Sequence, residues 1–140
     1  MQRIELLLRN DLSELSRIAQ AVEAMADVCG LGMKQSFHLN LVLDELVTNL
    51  VHYAYPEGST HHIHLTLECV DTTIRCELRD QGIAFNPLDQ AEPDLESALE
   101  DRAIGGLGIY FMQQMMDDLH YERCDNTNIL RLGMRITNEL

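Results

Sequence analysis

Apolar and polar positions alternate from the start of the chain. In QRIELLLR, residues 2–9, Ile4, Leu6 and Leu8 share one face, the period of two expected of a β-strand, which ends at Asn10 or Asp11. The period then lengthens: Leu15, Ile18, Ala19, Val22, Met25, Ala26 and Cys29 recur at helical spacing, with Ser13 as the predicted N-cap and Gly30 and Gly32 as the stop. A second helix is predicted from about Ser36 to Tyr55. Its core candidates are Phe37, Leu41, Leu43, Leu46, Val47, Leu50 and Tyr53, and Pro56-Glu57-Gly58 closes it.

Two strands come next. Ile63, Leu65, Leu67 and Cys69 alternate in HIHLTLEC, as do Ile74, Cys76 and Leu78 in TIRCELRD, and the short turn Val70-Asp71-Thr72 makes them a hairpin. From Gln81 to Gly106 the periodicity fades into a stretch holding two prolines, three glycines and several acids. That is long for a connection inside a compact domain, and such segments usually carry function. GLGIYFMQQMMDDL then predicts a helix with a glycine-rich entry, in which Met112, Met115 and Met116 are read as core. HYERC and ILRLGMRI, joined across Asp125-Asn126-Thr127-Asn128, predict a second hairpin. The order β-α-α-β-β-loop-α-β-β lacks the alternation of a doubly wound fold. It predicts an α+β two-layer sandwich, with a mixed, mostly antiparallel sheet and helices on one face.

Composition narrows the function. At 140 residues a single domain, 1–140, is expected, and 46% hydrophobic with 24% charged residues is ordinary for a globular chain. Ten Lys and Arg against 23 Asp and Glu leave a net charge of −13, which repels phosphate-rich polymers, so nucleic acid is not an expected direct partner. An anionic small ligand would need a local reversal of sign from backbone N–H groups, a helix N-terminus or a metal ion, with magnesium the obvious candidate. No apolar run approaches the length of a membrane span and no export signal is recognisable, so a cytoplasmic protein is expected. Cys29, Cys69, Cys76 and Cys124 lack C-x-x-C spacing and suit reduced thiols, with little support for zinc. His61, His62 and His64 are not expected to hold a metal, because on a strand His61 points away from the other two.

Three short patterns carry candidate chemistry. Glu45 and Asn49 lie four apart on the second helix and project from one face, offering a base and an uncharged oxygen ligand suited to Mg²⁺; a solvated helix face carries the same pair. Asp80-Gln81-Gly82 sets a carboxylate where the chain leaves the sheet, with a glycine beside it where backbone approaches a ligand closely; a simple turn reads identically. Such a carboxylate pairs with the exocyclic amine of adenine and is mismatched against the carbonyl of guanine. Gly105-Gly106-Leu107-Gly108 at a helix start offers N–H groups to phosphate, or a hinge. The three in this order point to a nucleotide.

Together they resemble the anti-sigma-factor serine/threonine kinases of the histidine-kinase-like ATPase superfamily, which shares the Bergerat fold with gyrase and histidine kinases. DELVTNLVHYAYPEG at 44–58 resembles the N box of that family, DQGIAFNP at 80–87 its first glycine box, and residues 105–132 its second box and closing hairpin. The resemblance implies that Glu45 is the general base and that Asn49 ligates Mg²⁺ on ATP. It implies further that Asp80 reads adenine beside Gly82, and that Gly105, Gly106, Leu107 and Gly108 face phosphate. Residues 86–104 would be the ATP lid, in which Arg102 is the one basic residue. Ala84 stands where the family commonly has glycine, adding a Cβ near the nucleotide. No phospho-acceptor box precedes the ATP site, so a complete sensor histidine kinase is not expected, and His52 and His120 are read as packing or surface residues.

The function implied is an ATP-dependent serine/threonine kinase that phosphorylates a STAS-type anti-anti-sigma partner and sequesters a sigma factor. The alternative is a non-catalytic ATP-binding regulatory module acting by partner contact in a two-component or partner-switching pathway. The family commonly forms dimers, and the first strand and helix are the candidate contact for a homodimer.

Overall fold

The computed structural model describes residues 2–56, 58–89 and 106–137. Its elements are β1 (Gln2–Arg9), α1 (Leu15–Cys29), α2 (Met33–Asn49), a π-helical turn (Leu50–Ala54), β2 (His62–Val70), β3 (Thr73–Asp80), α3 (Gly106–Met115), β4 (Asp118–Cys124) and β5 (Thr127–Arg135). The strands form one sheet in the order β1-β2-β3-β5-β4, and every neighbouring pair is antiparallel. This is the expected α+β sandwich.

Strand alternation decides which side of the sheet the helices cover. Leu8, Ile63, Leu65, Leu67, Ile74, Cys76, Leu78, Leu130, Leu132 and Met134 are all buried in one hydrophobic core. Ile18, Val22 and Met25 of α1, Leu39, Leu43 and Leu46 of α2, and Ile109, Met112 and Met116 at the α3 end complete it. Facing outward are charged residues linked across strands, including the Arg131 guanidinium on Glu77 at 3.1 Å and on Glu122 at 2.6 Å. Being exposed, such pairs add little to stability. Asp80 and Asn128 are directly opposed at the end of the β3–β5 ladder. In phase with Cys76 and Leu78 on one strand and with Leu130 and Leu132 on the other, both point into the helical layer.

Several boundaries differ from the sequence reading, each for a local reason. The Asp11 side chain accepts from the Ser13 N–H at 2.9 Å and caps a 3-10 turn over Leu12–Glu14 that leads into α1. The helix itself starts after Glu14 with no side-chain cap, so Ser13 is not its N-cap. Ala19 is exposed. Gly30 ends α1 at φ 74°, in the left-handed region that a side chain disfavours, and its N–H returns to the Ala26 carbonyl at 3.0 Å. Starting at Met33, α2 has a polar core position at Gln35, whose amide donates to the Arg135 carbonyl at 2.8 Å and accepts from the Thr137 N–H at 3.1 Å. The face through Gln35, Leu39, Leu43 and Leu46 is therefore the buried one, and Phe37, expected in the core, is 66% exposed.

The long second helix changes to π geometry after Asn49, one extra residue per turn, and Tyr53, another core candidate, ends 54% exposed. α3 stops at Met115 because the sheet captures the next residues: the Asp117 N–H donates to the Gly133 carbonyl at 2.8 Å, and Asp118 and Leu119 begin β4. In the closing hairpin, Asp125 and Asn126 alone turn the chain, both at positive φ, which places Thr127 and Asn128 in β5 and not in the loop.

Leu67 is fully buried at the centre of β2. Leu67→Ala is expected to cost about 2–5 kcal/mol, read as a lowered urea midpoint with an unchanged slope.

Candidate functional site

One enclosure of about 340 Å³ opens between α2, the π turn, the exit of β3, α3 and the β4–β5 hairpin. That is the size of a small-molecule site. Its walls are mainly apolar, with Leu46, Leu50, Leu78, Ile83, Ile109 and Leu130, and among them stand Asn49, Tyr53, Asp80, Tyr121 and Asn128. Two of the three sequence patterns thus meet here, from segments more than 30 residues apart.

Asp80 is 5% exposed. Its Oδ1 accepts from the Gly82 N–H at 2.9 Å and from Asn128 Nδ2 at 3.1 Å. Burial raises its pKa above the usual carboxylate value, while Asn128, the Gly82 N–H and the Arg123 charge pull in the opposite direction. Asn128 Nδ2 also donates to the Ile83 carbonyl at 2.8 Å, and Asn128 Oδ1 accepts from the Tyr121 hydroxyl and, at 2.9 Å, from Arg123. Arg123 reaches on to the Gly82 carbonyl at 3.2 Å.

Close approach explains the glycine. A Cβ on Gly82 would lie 2.6 Å from Ala54 Cβ, 2.7 Å from the Ala54 carbonyl oxygen and 3.0 Å from Asp80 Oδ1. Beside it, the Ile83 N–H donates to the same Ala54 carbonyl at 3.0 Å. The end of the π turn is therefore docked on the Asp80-Gln81-Gly82 turn.

Asn49 lines the enclosure, and its Oδ1 is buried without a hydrogen-bond partner among the described residues. A buried, unpaired carbonyl oxygen is costly alone and fits a hard, oxygen-seeking cation such as Mg²⁺. Glu45, half-buried one turn earlier on α2, is not among the lining residues, and neighbouring Asp44 has its pKa raised by burial and by the Glu45 charge. Ala84 is exposed and does not line the enclosure, whereas its neighbours Ile83 and Phe85 do. Gly106, Leu107 and Gly108 form the first turn of α3. Gly105, Arg102 and most of the expected lid lie outside the described residues; of the lid only 86–89 are described, where Pro87–Asp89 form a 3-10 turn.

Outside the enclosure, His61 stacks on Tyr55 with ring centroids 4.5 Å apart, His62 and His64 are exposed on β2, and His52 and His120 are exposed. Met112 and Met116 are buried, as read from the sequence, and Cys76 is buried with its thiol pushed up to about 12.

No sequence pattern marks Asn128, Tyr121 or Arg123 as functional. The recoverable signal was Asp125-Asn126, a residue pair suited to a two-residue hairpin loop, which would have put Asn128 on the strand in phase with Leu130.

Gly82→Ala is expected to lose about 1–3 kcal/mol of stability, because backbone at Ala54 must move; thermal unfolding reads it. Asp80→Asn should show the opposite sign. With a folded-state pKa above the unfolded value, ionised Asp80 weakens the fold as pH rises through and beyond that window, and the cost vanishes below the ordinary carboxylate range. The variant should therefore gain stability over the parent near neutral pH, and the gain should shrink on acidification in a pH series of urea melts.

Comparison with known proteins gives the family and the fold. A family model described as a histidine kinase-like ATPase domain matches residues 8–134. The serine/threonine-protein kinase BtrW of Bordetella bronchiseptica is 35% identical over 96 residues, covering 69% of this chain and 68% of that protein. The anti-sigma F factor of Bacillus subtilis is 23% identical over 108 residues, covering 77% and 72%. In fold, the chain is similar to a Mycobacterium tuberculosis structure of RsbU and RsbW domains, with a TM-score of 0.71 at 11% identity, over 99% of this chain and 34% of that one. It is also similar to a blue-light activated histidine kinase of Erythrobacter litoralis, at a TM-score of 0.58 and 14% identity over 89% of this chain and 41% of that one. By sequence and by fold, this chain belongs to the histidine kinase-like ATPase domain family.

Proposed function

We propose that the chain is an ATP-dependent serine/threonine protein kinase of the anti-sigma type, binding the nucleotide in the enclosure beside Asp80. The observation that carries this reading is a buried acceptor, Asp80, lining one mainly apolar cavity together with Asn49, whose buried Oδ1 has no hydrogen-bond partner among the described residues. Kinship with BtrW and the anti-sigma F factors, named for a kinase and for an anti-sigma activity, supports the reaction class.

In this reading the adenine ring lies among Leu46, Leu50, Ile83 and Leu130, and its exocyclic amine donates to Asp80. Gly82, which does not itself line the enclosure, holds Asp80 Oδ1 through its N–H and leaves room for Ala54 of the π turn. The first turn of α3, with Gly106, Leu107 and Gly108 after Gly105, presents N–H groups toward phosphate. Asn49 would hold Mg²⁺, which would supply neutralisation of the phosphate charge. Glu45, a turn away from Asn49, takes the proton of the attacking serine hydroxyl as its oxygen bonds to the γ-phosphorus and ADP departs. Little covalent chemistry is asked of the protein; positioning and charge neutralisation supply most of the rate.

The partners are inferred by the same kinship: a STAS-domain anti-anti-sigma protein as phosphate acceptor and a sigma factor as the sequestered protein. A surface carrying most of a −13 charge suits a basic sigma-factor region. Among the described residues no helix is long and apolar enough to cross a membrane.

Glu45→Ala is expected to keep ATP affinity within a few-fold and to abolish transfer of label from radioactive ATP to a STAS-domain acceptor; undiminished transfer would remove Glu45 from the chemistry, whereas no transfer by the unsubstituted protein that still binds ATP would favour the regulatory-module alternative. Asp80→Asn places an N–H group against the adenine amine and should weaken ATP binding by about ten-fold or more in calorimetry. An unaltered affinity would reject adenine recognition by Asp80.

A further inference from the structure

The two oxygens of Asp80 are treated differently by the fold. Oδ1 takes the Gly82 N–H and the Asn128 amide, while no donor among the described residues reaches Oδ2. Asn128 decides which oxygen is which. Its Nδ2 donates twice, to Asp80 and to the Ile83 carbonyl, and its Oδ1 accepts twice, from Tyr121 and Arg123. A side-chain amide has two N–H donors and two lone pairs, so all four are in use. Turning it over would face its N–H groups toward the Tyr121 hydroxyl and Arg123, and its oxygen toward a carboxylate and a carbonyl. One orientation is far better than the other.

We propose that Asn128, oriented by Tyr121 and Arg123, is the positioning residue that turns Asp80 Oδ2 into the cavity as a lone acceptor, and so makes the site select a purine bearing an exocyclic amine. The inference rests on the nucleotide reading of the cavity. Were Asn128 to lose its donors, the carboxylate would rotate to share both oxygens between the Gly82 N–H and water, and the amine would meet no fixed acceptor. A fully satisfied network of this kind acts as a unit, so its outer members matter although they do not touch Asp80.

The test compares ATP with purine riboside 5′-triphosphate, which lacks only the amine, by calorimetry in the presence of Mg²⁺. The unsubstituted protein should prefer ATP by about ten-fold or more. Asn128→Leu should bring the two affinities within about two-fold of each other, and Asn128→Thr, which restores one donor, should recover part of the preference. Tyr121→Phe, a milder change, should reduce the preference several-fold, and it decides the matter if Asn128→Leu does not fold. A ratio that survives while both affinities fall together would show Asn128 to be merely structural and overturn the inference, leaving the nucleotide reading intact. Binding of neither nucleotide by the unsubstituted protein would overturn both.

Discussion

A carboxylate drawn into an apolar enclosure organises most of this structure. Asp80 loses water by standing in phase with Cys76 and Leu78 on the covered face of the sheet, and its ionised form is disfavoured there. Everything around it answers that cost: a backbone N–H at Gly82, an amide at Asn128, and the Arg123 charge behind the amide. A core position filled with leucine would be simpler and more stable. What the carboxylate provides is directed polarity, the one charged group in a wall that is otherwise mainly apolar among the described residues.

The same turn joins two elements that must act together. Because Gly82 has no Cβ, the carbonyl and methyl of Ala54 sit almost on its backbone, and the end of the α2 segment is tied to the exit of β3. The π geometry over Leu50–Ala54 runs from Asn49, which lines the enclosure, to Ala54, which meets the glycine turn. π turns are uncommon and concentrate at functional sites, where the altered pitch re-aims a side chain. Here it links the helix that carries Glu45 and Asn49 to Ala54, the residue that docks on the glycine turn.

Charge makes the locality of the site necessary. A chain of net charge −13 repels a nucleotide from afar, so attraction to an anionic ligand must come from short range, and the mainly apolar walls of the enclosure are one such source. An acidic net charge also keeps polyanions away while remaining attractive to a basic protein surface.

The class of fold and the location of two of the three chemical patterns are legible in the order of residues alone. Alternation at Ile63 to Cys69 and Ile74 to Leu78 requires strands with one covered face, and Glu45 and Asn49 share a helix face by spacing. The same reading misplaces Phe37 and Tyr53, because which stripe of a largely apolar helix is buried depends on its neighbours: Gln35 bonded to Arg135 sets the rotation at one end, and the π turn shifts it at the other. That Asn128 faces Asp80 emerges only when the sheet assembles. The contact links residues 48 apart through the β3–β5 register and the two-residue turn at Asp125-Asn126, and a slip of one residue would have pointed Asn128 to solvent. Local pattern specifies what each segment is; the pairing of distant strands specifies which side chains meet.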